Sequence, residues 1–149
     1  DPAVCGYLKI KNTCNGVGYL AIFNYSDKEV TVPYTIGDVF QDCEHTNYAV
    51  YRRFADCGFT ATASEALECI LPAKGFELFM ISPITHGTCI FGADHKYLAS
   101  HVLESVSIAD TISILIKQMT PVLSDKLISI NGKNVANILS KGNSFYVID

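Results

Sequence analysis

The chain has 149 residues, 49% of them hydrophobic and 17% charged, and its 11 Lys and Arg against 15 Asp and Glu give a net charge of -4. That length suits one globular domain, long enough to bury most of its unfolded surface and too short for two large folds. No apolar run approaches the ~20 residues that cross a bilayer, and no basic cluster exceeds Arg52-Arg53, so neither a membrane nor a nucleic acid is expected as a partner.

The amino end, Asp1-Pro2-Ala3-Val4, has no initiating Met and lacks the charged-then-apolar layout of a signal peptide, which suggests a processed or excised piece. Six cysteines (Cys5, Cys14, Cys43, Cys57, Cys69 and Cys89) stand singly without a CxxC pair. They read as reduced, packed thiols, which leans towards the cytoplasm. Residues 7–11 alternate in polarity, and Asn15-Gly16 supplies the pair that a tight hairpin with positive φ requires. The second arm, residues 17–24, is a near-continuous apolar run expected to be a buried strand, and Ser26-Asp27-Lys28 turns it into a third strand over 29–34. Asn24-Tyr25-Ser26 matches a glycosylation acceptor but ends an apolar run, so the match is read as chance.

Residues 48–54 are again rich in strand formers, Asp56-Cys57-Gly58 predicts a turn, and 59–62 a further strand. Residues 64–71 have helical propensity, with Ser64 as a cap, yet Leu67, Cys69 and Leu71 alternate and the flanks are too close for a useful helix, so a strand is expected. The stretch the chain is organised around follows. From Phe76 to Ile84 one face carries Phe76, Leu78 and Met80, and the other carries Glu77, Phe79 and Ile81. A strand apolar on both faces belongs in the middle of a sheet packed against another layer, with Pro72, Gly75 and Pro83 marking its ends.

Beyond it, residues 88–92 form a short strand and 93–100 a connection. Residues 101–108 and 111–117 form a hairpin across Ala109-Asp110, and 126–130 pairs through Asn131-Gly132 with 134–139, before a closing strand at 144–148. Short strands between turn residues along the whole length predict an all-β fold, an antiparallel two-sheet β-sandwich, with residues 1–149 as a single domain and a minor division near 93–100.

Chemistry is sparsely marked. His45, His86 and His95 lie near Cys43, Cys89 and Asp94, but without the paired spacing of a structural zinc site, and neither Cys57 nor Cys89 sits in a nucleophile signature, so no metal, cofactor or catalytic residue is assigned. The carboxylates Asp38, Asp42, Glu44, Asp56, Glu65, Glu68, Glu77 and Asp94 show no spacing that selects an acid pair for glycoside cleavage. Glu77 stands out because it interrupts an apolar strand and must reach solvent or a partner. Eight tyrosines and no tryptophan leave Tyr48, Tyr51 and Tyr97 as candidates for carbohydrate contact, against the packing role that aromatic residues ordinarily take in strands.

Two segments resemble a known family. Tyr7-Leu8-Lys9-Ile10-Lys11-Asn12, leading through Gly16-Val17-Gly18 into Ala21-Ile22-Phe23-Asn24, is similar to the start of the C-terminal β domain of raffinose synthases and related α-galactosidase-like glycoside hydrolases. Tyr48-Ala49-Val50-Tyr51, then residues 71–79 with Ser82-Pro83-Ile84 and Ile90-Phe91-Gly92, looks like that domain's later strands, and Ile36-Gly37-Asp38-Val39 falls where the family has a similar Asp-Val. The likeness covers about the first 95 residues. Lys11 replaces the family's tryptophan, and Tyr25-Ser26-Asp27 its Cys-Gln-Gly-rich turn, which points to a distant relative. The resemblance implies a non-enzymatic accessory domain whose partner is a catalytic (β/α)-barrel N-terminal to residue 1, in a parent acting on α-galactosides. No catalytic residue carries over, because in the family the carboxylates belong to that barrel. The alternatives are a free-standing carbohydrate-binding module that holds an oligosaccharide on exposed tyrosines, and a protein-interaction domain marked by an exposed apolar patch.

Overall fold

The computed structural model describes residues 6–55, 57–85, 87, 89–93, 100, 103–108, 112–116, 135–138 and 145–147. They are built almost wholly of strands: β1 (Tyr7–Cys14), β2 (Val17–Asn24), β3 (Val30–Tyr34), β4 (Asn47–Arg52), β5 (Cys57–Thr62), β6 (Leu67–Leu71), β7 (Phe76–Pro83), β8 (Ile90–Ala93), β9 (Leu103–Ile108), β10 (Ile112–Ile116), β11 (Val135–Ile138) and β12 (Phe145–Val147), with one 3-10 turn at Ile36–Asp38. The chain divides into two compact units, Asp1–Thr13 with Gly18–Ile81, and Cys14–Val17 with Ser82–Asp149.

The first unit is sheet on sheet. A five-stranded sheet in the order β1-β2-β7-β4-β5 has β7 at its centre, as its two apolar faces require. β2 runs antiparallel to β7, from Gly18 opposite Ile81 to Phe23 opposite Phe76. The second layer is the antiparallel ribbon β3–β6, in which Leu67, Cys69 and Leu71 are buried and Glu68 and Ile70 exposed. That alternation, rather than helical propensity, decides residues 67–71. Glu65, a good helix former, instead accepts the Thr62 N–H through Oε1 at 3.3 Å in the turn before β6. Leu20, Ile22, Val50, Phe79 and Ile81 from the large sheet meet Val32, Tyr34, Leu67 and Leu71 from the ribbon, and Ile36 and Val39 close one end. Gly18 allows that closure, because a Cβ there would run into Val39 Cγ1 and lie 2.9 Å from Phe40 Cζ.

The β1–β2 turn has Asn15 at φ 51° and Gly16 at φ 82°, the left-handed pair expected of Asn-Gly. In the second unit this turn is tied down by Ser100, whose Oγ donates to Cys14 O at 2.6 Å and whose carbonyl accepts Asn15 Nδ2 at 2.9 Å. Cys89, Ile90 and Phe91 are buried there. β9 and β10 pair antiparallel, as the predicted hairpin requires, although its Ala109-Asp110 link lies outside the described residues. β12 pairs antiparallel with β8.

Three expectations change. The all-β sandwich holds, but β11 lies parallel to β10, beside the antiparallel pairs β2–β7, β3–β6, β4–β5, β9–β10 and β8–β12. β9 holds one edge of β10 and β11 the other. The strand predicted at 126–130 and its Asn131-Gly132 turn lie outside the described residues. The turn predicted at 56–58 begins earlier, at 53–55, while Cys57 and Gly58 already pair with Arg52 and Tyr51. Finally, the chain divides at Ile81 and Ser82 rather than near 93–100.

Candidate functional site

Glu77 enters β7 on the core face, beside Phe79 and Ile81, and is 3% exposed. A carboxylate there needs compensation from every side. Its Oε1 accepts the backbone N–H of Phe54 at 2.9 Å and of Leu78 at 3.0 Å, and its Oε2 accepts that of Ala55 at 3.3 Å and faces Arg52 Nη2 at 3.4 Å. The Arg52 guanidinium in turn lies 5.9 Å from the centroid of the Phe79 ring. Tyr34 packs its ring 4.7 Å from Phe79, and burial is the main reason its hydroxyl is held well above the usual phenol range, with Cys69 adding to the shift and Arg52 opposing it. Burial likewise pushes the Cys69 thiol up. The group is a clamp: it fixes the turn after β4 to the start of β7 and leaves Glu77 saturated with donors, unlike a general acid or base with a free lone pair or a proton to exchange.

Of the predicted carbohydrate-contact residues, Tyr48 and Tyr51 are buried. Tyr48 is 1% exposed, 5.7 Å from Phe40 and edge-on to His45 at 6.2 Å, and Tyr51 is 6% exposed. They sit on opposite faces of β4, an interior strand between β7 and β5, so neither offers a ring face to solvent. Tyr97 lies outside the described residues. Among the described residues, the exposed large aromatic side chains are Tyr25, Phe54 and Phe76, which are 52%, 48% and 52% exposed. The signal was local: Tyr25 opens a Ser-Asp turn, and Phe76 directly follows Gly75.

His86, His95 and Asp94 lie outside the described residues, and among the described residues no three His, Cys, Asp or Glu side chains gather to hold a metal. The five described cysteines are free thiols; Cys43 and Cys57 are exposed, Cys69 and Cys89 buried. Burial pushes Cys89 up to about 12 against a hydrogen bond from Ser82, which keeps it a thiol and a poor nucleophile. A cleft of about 380 Å³ between Lys11, Asn12 and Thr13 on one side and Val39, Phe40 and Gln41 on the other contains no carboxylate. Asn24 is 3% exposed, and its Nδ2 donates to Lys28 O and Pro72 O, each at 2.8 Å, so the amide nitrogen of the sequon is enclosed in the fold.

No family model and no curated protein matches the chain. Parts of three solved enzymes are similar to part of it. One is an α-galactosidase I from Mortierella vinacea, at 13% identity over 52% of this chain and 21% of that one, TM-score 0.44. Another is a GH27 β-L-arabinopyranosidase from Geobacillus stearothermophilus, at 18% over 54% and 18%, TM-score 0.44. A Bacillus halodurans C-125 protein named as an α-N-acetylgalactosaminidase gives 20% over 51% and 18%, TM-score 0.43. The chain thus spans about a fifth of the length of each.

Proposed function

We propose that this chain is the non-catalytic C-terminal domain of a glycoside hydrolase acting on α-galactosides, with a raffinose-synthase-like parent, and that residues 1–149 act as one accessory unit that packs on the catalytic barrel and stabilises it. The observation that carries this reading is the pairing of β2 with β7. Residues 17–24 and 71–84, which are parts of the two distant segments that hold the sequence resemblance, supply neighbouring strands, in register from Gly18 to Phe23. The non-enzymatic role is supported by Glu77, the one carboxylate that the sequence singled out, whose oxygens are taken up by three backbone amides and a guanidinium.

The chain incubated with an aryl α-galactoside is expected to give no turnover. Hydrolysis that vanishes when one of its own carboxylates is changed would refute the accessory role. The coding sequence ahead of Asp1 gives a second reading: a (β/α)-barrel with paired aspartates is expected, and an unrelated domain there would sink the proposed parent.

A further inference from the structure

Four aromatic rings form a continuous row at one end of the large sheet. Tyr25 lies 6.4 Å from Phe23, Phe23 lies 6.1 Å from Phe76, and Phe54 meets Phe76 edge-on at 4.9 Å. Phe23 and Phe76 are directly opposed residues of β2 and β7 and therefore share a face. Interplanar angles of 29° and 26° stack Phe23 between Tyr25 and Phe76, so the surface of the row is offered by the rings outside it. Three of the four are about half exposed, an unusual concentration for a surface on which large apolar side chains normally occur singly.

The loops that carry the rings are held firmly. Asn24 Oδ1 accepts Ser26 N at 2.9 Å and Ser26 Oγ at 2.7 Å, while its Nδ2 bonds join loop 24–28 to the end of β6. Glu77 holds the amide of Phe54. In the turn that leads into Phe76, Lys74 occupies the left-handed region at φ 60°, where a side chain costs about 1–2 kcal/mol. Its Nζ reaches Tyr25 O at 2.6 Å and Asp27 Oδ1 at 3.4 Å, which places a cation and a carboxylate at the rim of the aromatic row.

We infer that this row is a binding surface for a neutral oligosaccharide, whose apolar ring faces lie on the exposed parts of Tyr25, Phe76 and Phe54 and whose hydroxyls meet Lys74 Nζ, Asp27 and the Tyr25 hydroxyl. The area selects the occupant. Half of three aromatic side chains amounts to about 300 Å², within the range of functional patches but well under the ~800 Å² that each partner contributes to a stable protein interface. Nucleic-acid bases also stack on such rings, but they bring phosphates, and the chain's net charge is -4. A sugar needs only flat apolar faces with donors and acceptors at the edge. The inference stands independently of the accessory-domain reading, because it concerns the surface of the chain by itself.

The test is calorimetric titration of the chain with melibiose, raffinose and maltotriose, in parallel with the Tyr25→Ala and Ile70→Ala variants. Ile70, 58% exposed on β6, controls for the loss of an exposed apolar group elsewhere. Saturable binding of at least one sugar is expected, weakened about tenfold or more by Tyr25→Ala and unchanged by Ile70→Ala. Absence of saturable binding to all three, or binding that Tyr25→Ala leaves intact, overturns the proposal. So does concentration-dependent self-association that Tyr25→Ala abolishes, since the row would then be a protein contact. Tyr25 meets its surroundings mainly through its backbone and the flank of Phe23, and unchanged circular dichroism and melting of the variant separate lost binding from lost folding.

Discussion

Replacing Glu77 with Gln keeps the size and removes the charge, so it measures what the carboxylate does. A glutamine offers one carbonyl oxygen and one NH2 group. If the carbonyl takes the Oε1 position, the NH2 faces Ala55 N–H and the Arg52 guanidinium, donor against donor; if flipped, it faces the amides of Phe54 and Leu78. Either way at least one buried backbone donor loses its acceptor, at about 1–3 kcal/mol. Arg52 loses its counter-ion as well, and its Nε is already buried with no partner among the described residues. Breaking a fully buried pair costs about 3–5 kcal/mol, but the Arg52 side chain is 31% exposed, so water replaces part of the lost interaction. Together these give about 2–3 kcal/mol, or a fall in melting temperature of about 5–10 °C for a chain of this size. Urea unfolding followed by circular dichroism measures the difference, and a cycle with Arg52→Met isolates the ion pair, with a coupling of about 1 kcal/mol expected. A Glu77→Gln variant within about 0.5 kcal/mol of the parent would refute the clamp and reopen Glu77 as a group available for chemistry.

Gly18→Ala is expected to destabilise by about 1–3 kcal/mol, since the new methyl meets Val39 and Phe40, and a fluorescence melt would expose a neutral outcome as a failure of that packing argument. Asn24→Ala should lose about 2–3 kcal/mol, because three carbonyls share its amide, and the same enclosure predicts an unglycosylated Asn24 in intact-mass spectra after expression through a secretory host. With a thiol-reactive dye at pH 8, Cys43 and Cys57 are expected to label in the folded chain and Cys69 and Cys89 only after denaturant is added; rapid labelling of Cys89 would contradict its burial. Because the folded Cys89 thiol titrates near 12 and the unfolded one near 9.0, its contribution to stability is complete below pH 9, falls as the pH rises through that interval and is gone above it; Cys89→Ala should flatten the alkaline decline in melting temperature.

How much of this was legible in the sequence follows from the range of the interactions involved. Where a local rule acts alone, the reading held: Asn15-Gly16 forms its left-handed turn, residues 17–24 form a buried strand, and the alternation of Leu67, Cys69 and Leu71 outweighs helical propensity. The all-β class follows from such signals repeated along the chain. The turn after β4 was misplaced because it is set from a distance, by a carboxylate 22 and 23 residues further along the chain that collects the amides of Phe54 and Ala55. The burial of Tyr48 and Tyr51 was not legible for a related reason. Strand propensity says that Tyr48 and Tyr51 lie in a sheet, but only the strand order shows β4 to be interior, with both of its faces covered.

Asn24 and Glu77 explain why one end of the sheet can present aromatic rings at all. They are buried polar side chains at the same end of the β2–β7 pair, Asn24 closing β2 and Glu77 opposite Ile22 on β7. Each directs its hydrogen bonds into a neighbouring loop, Asn24 into 24–28 and the end of β6, Glu77 into 53–55. An apolar pair at these two positions would fill the core equally well but would leave those loop amides and carbonyls to water, and the loops free to move. Fixing them has the effect that Tyr25, Phe76 and Phe54 are carried to the surface in a set arrangement instead of collapsing onto the sheet, so the ordering of a ligand surface is done before any ligand arrives. The polar residues that most disturb the sequence pattern of β2 and β7 are thus the ones that position its exposed aromatic row, and the disturbance in the pattern and the surface it supports have one physical cause.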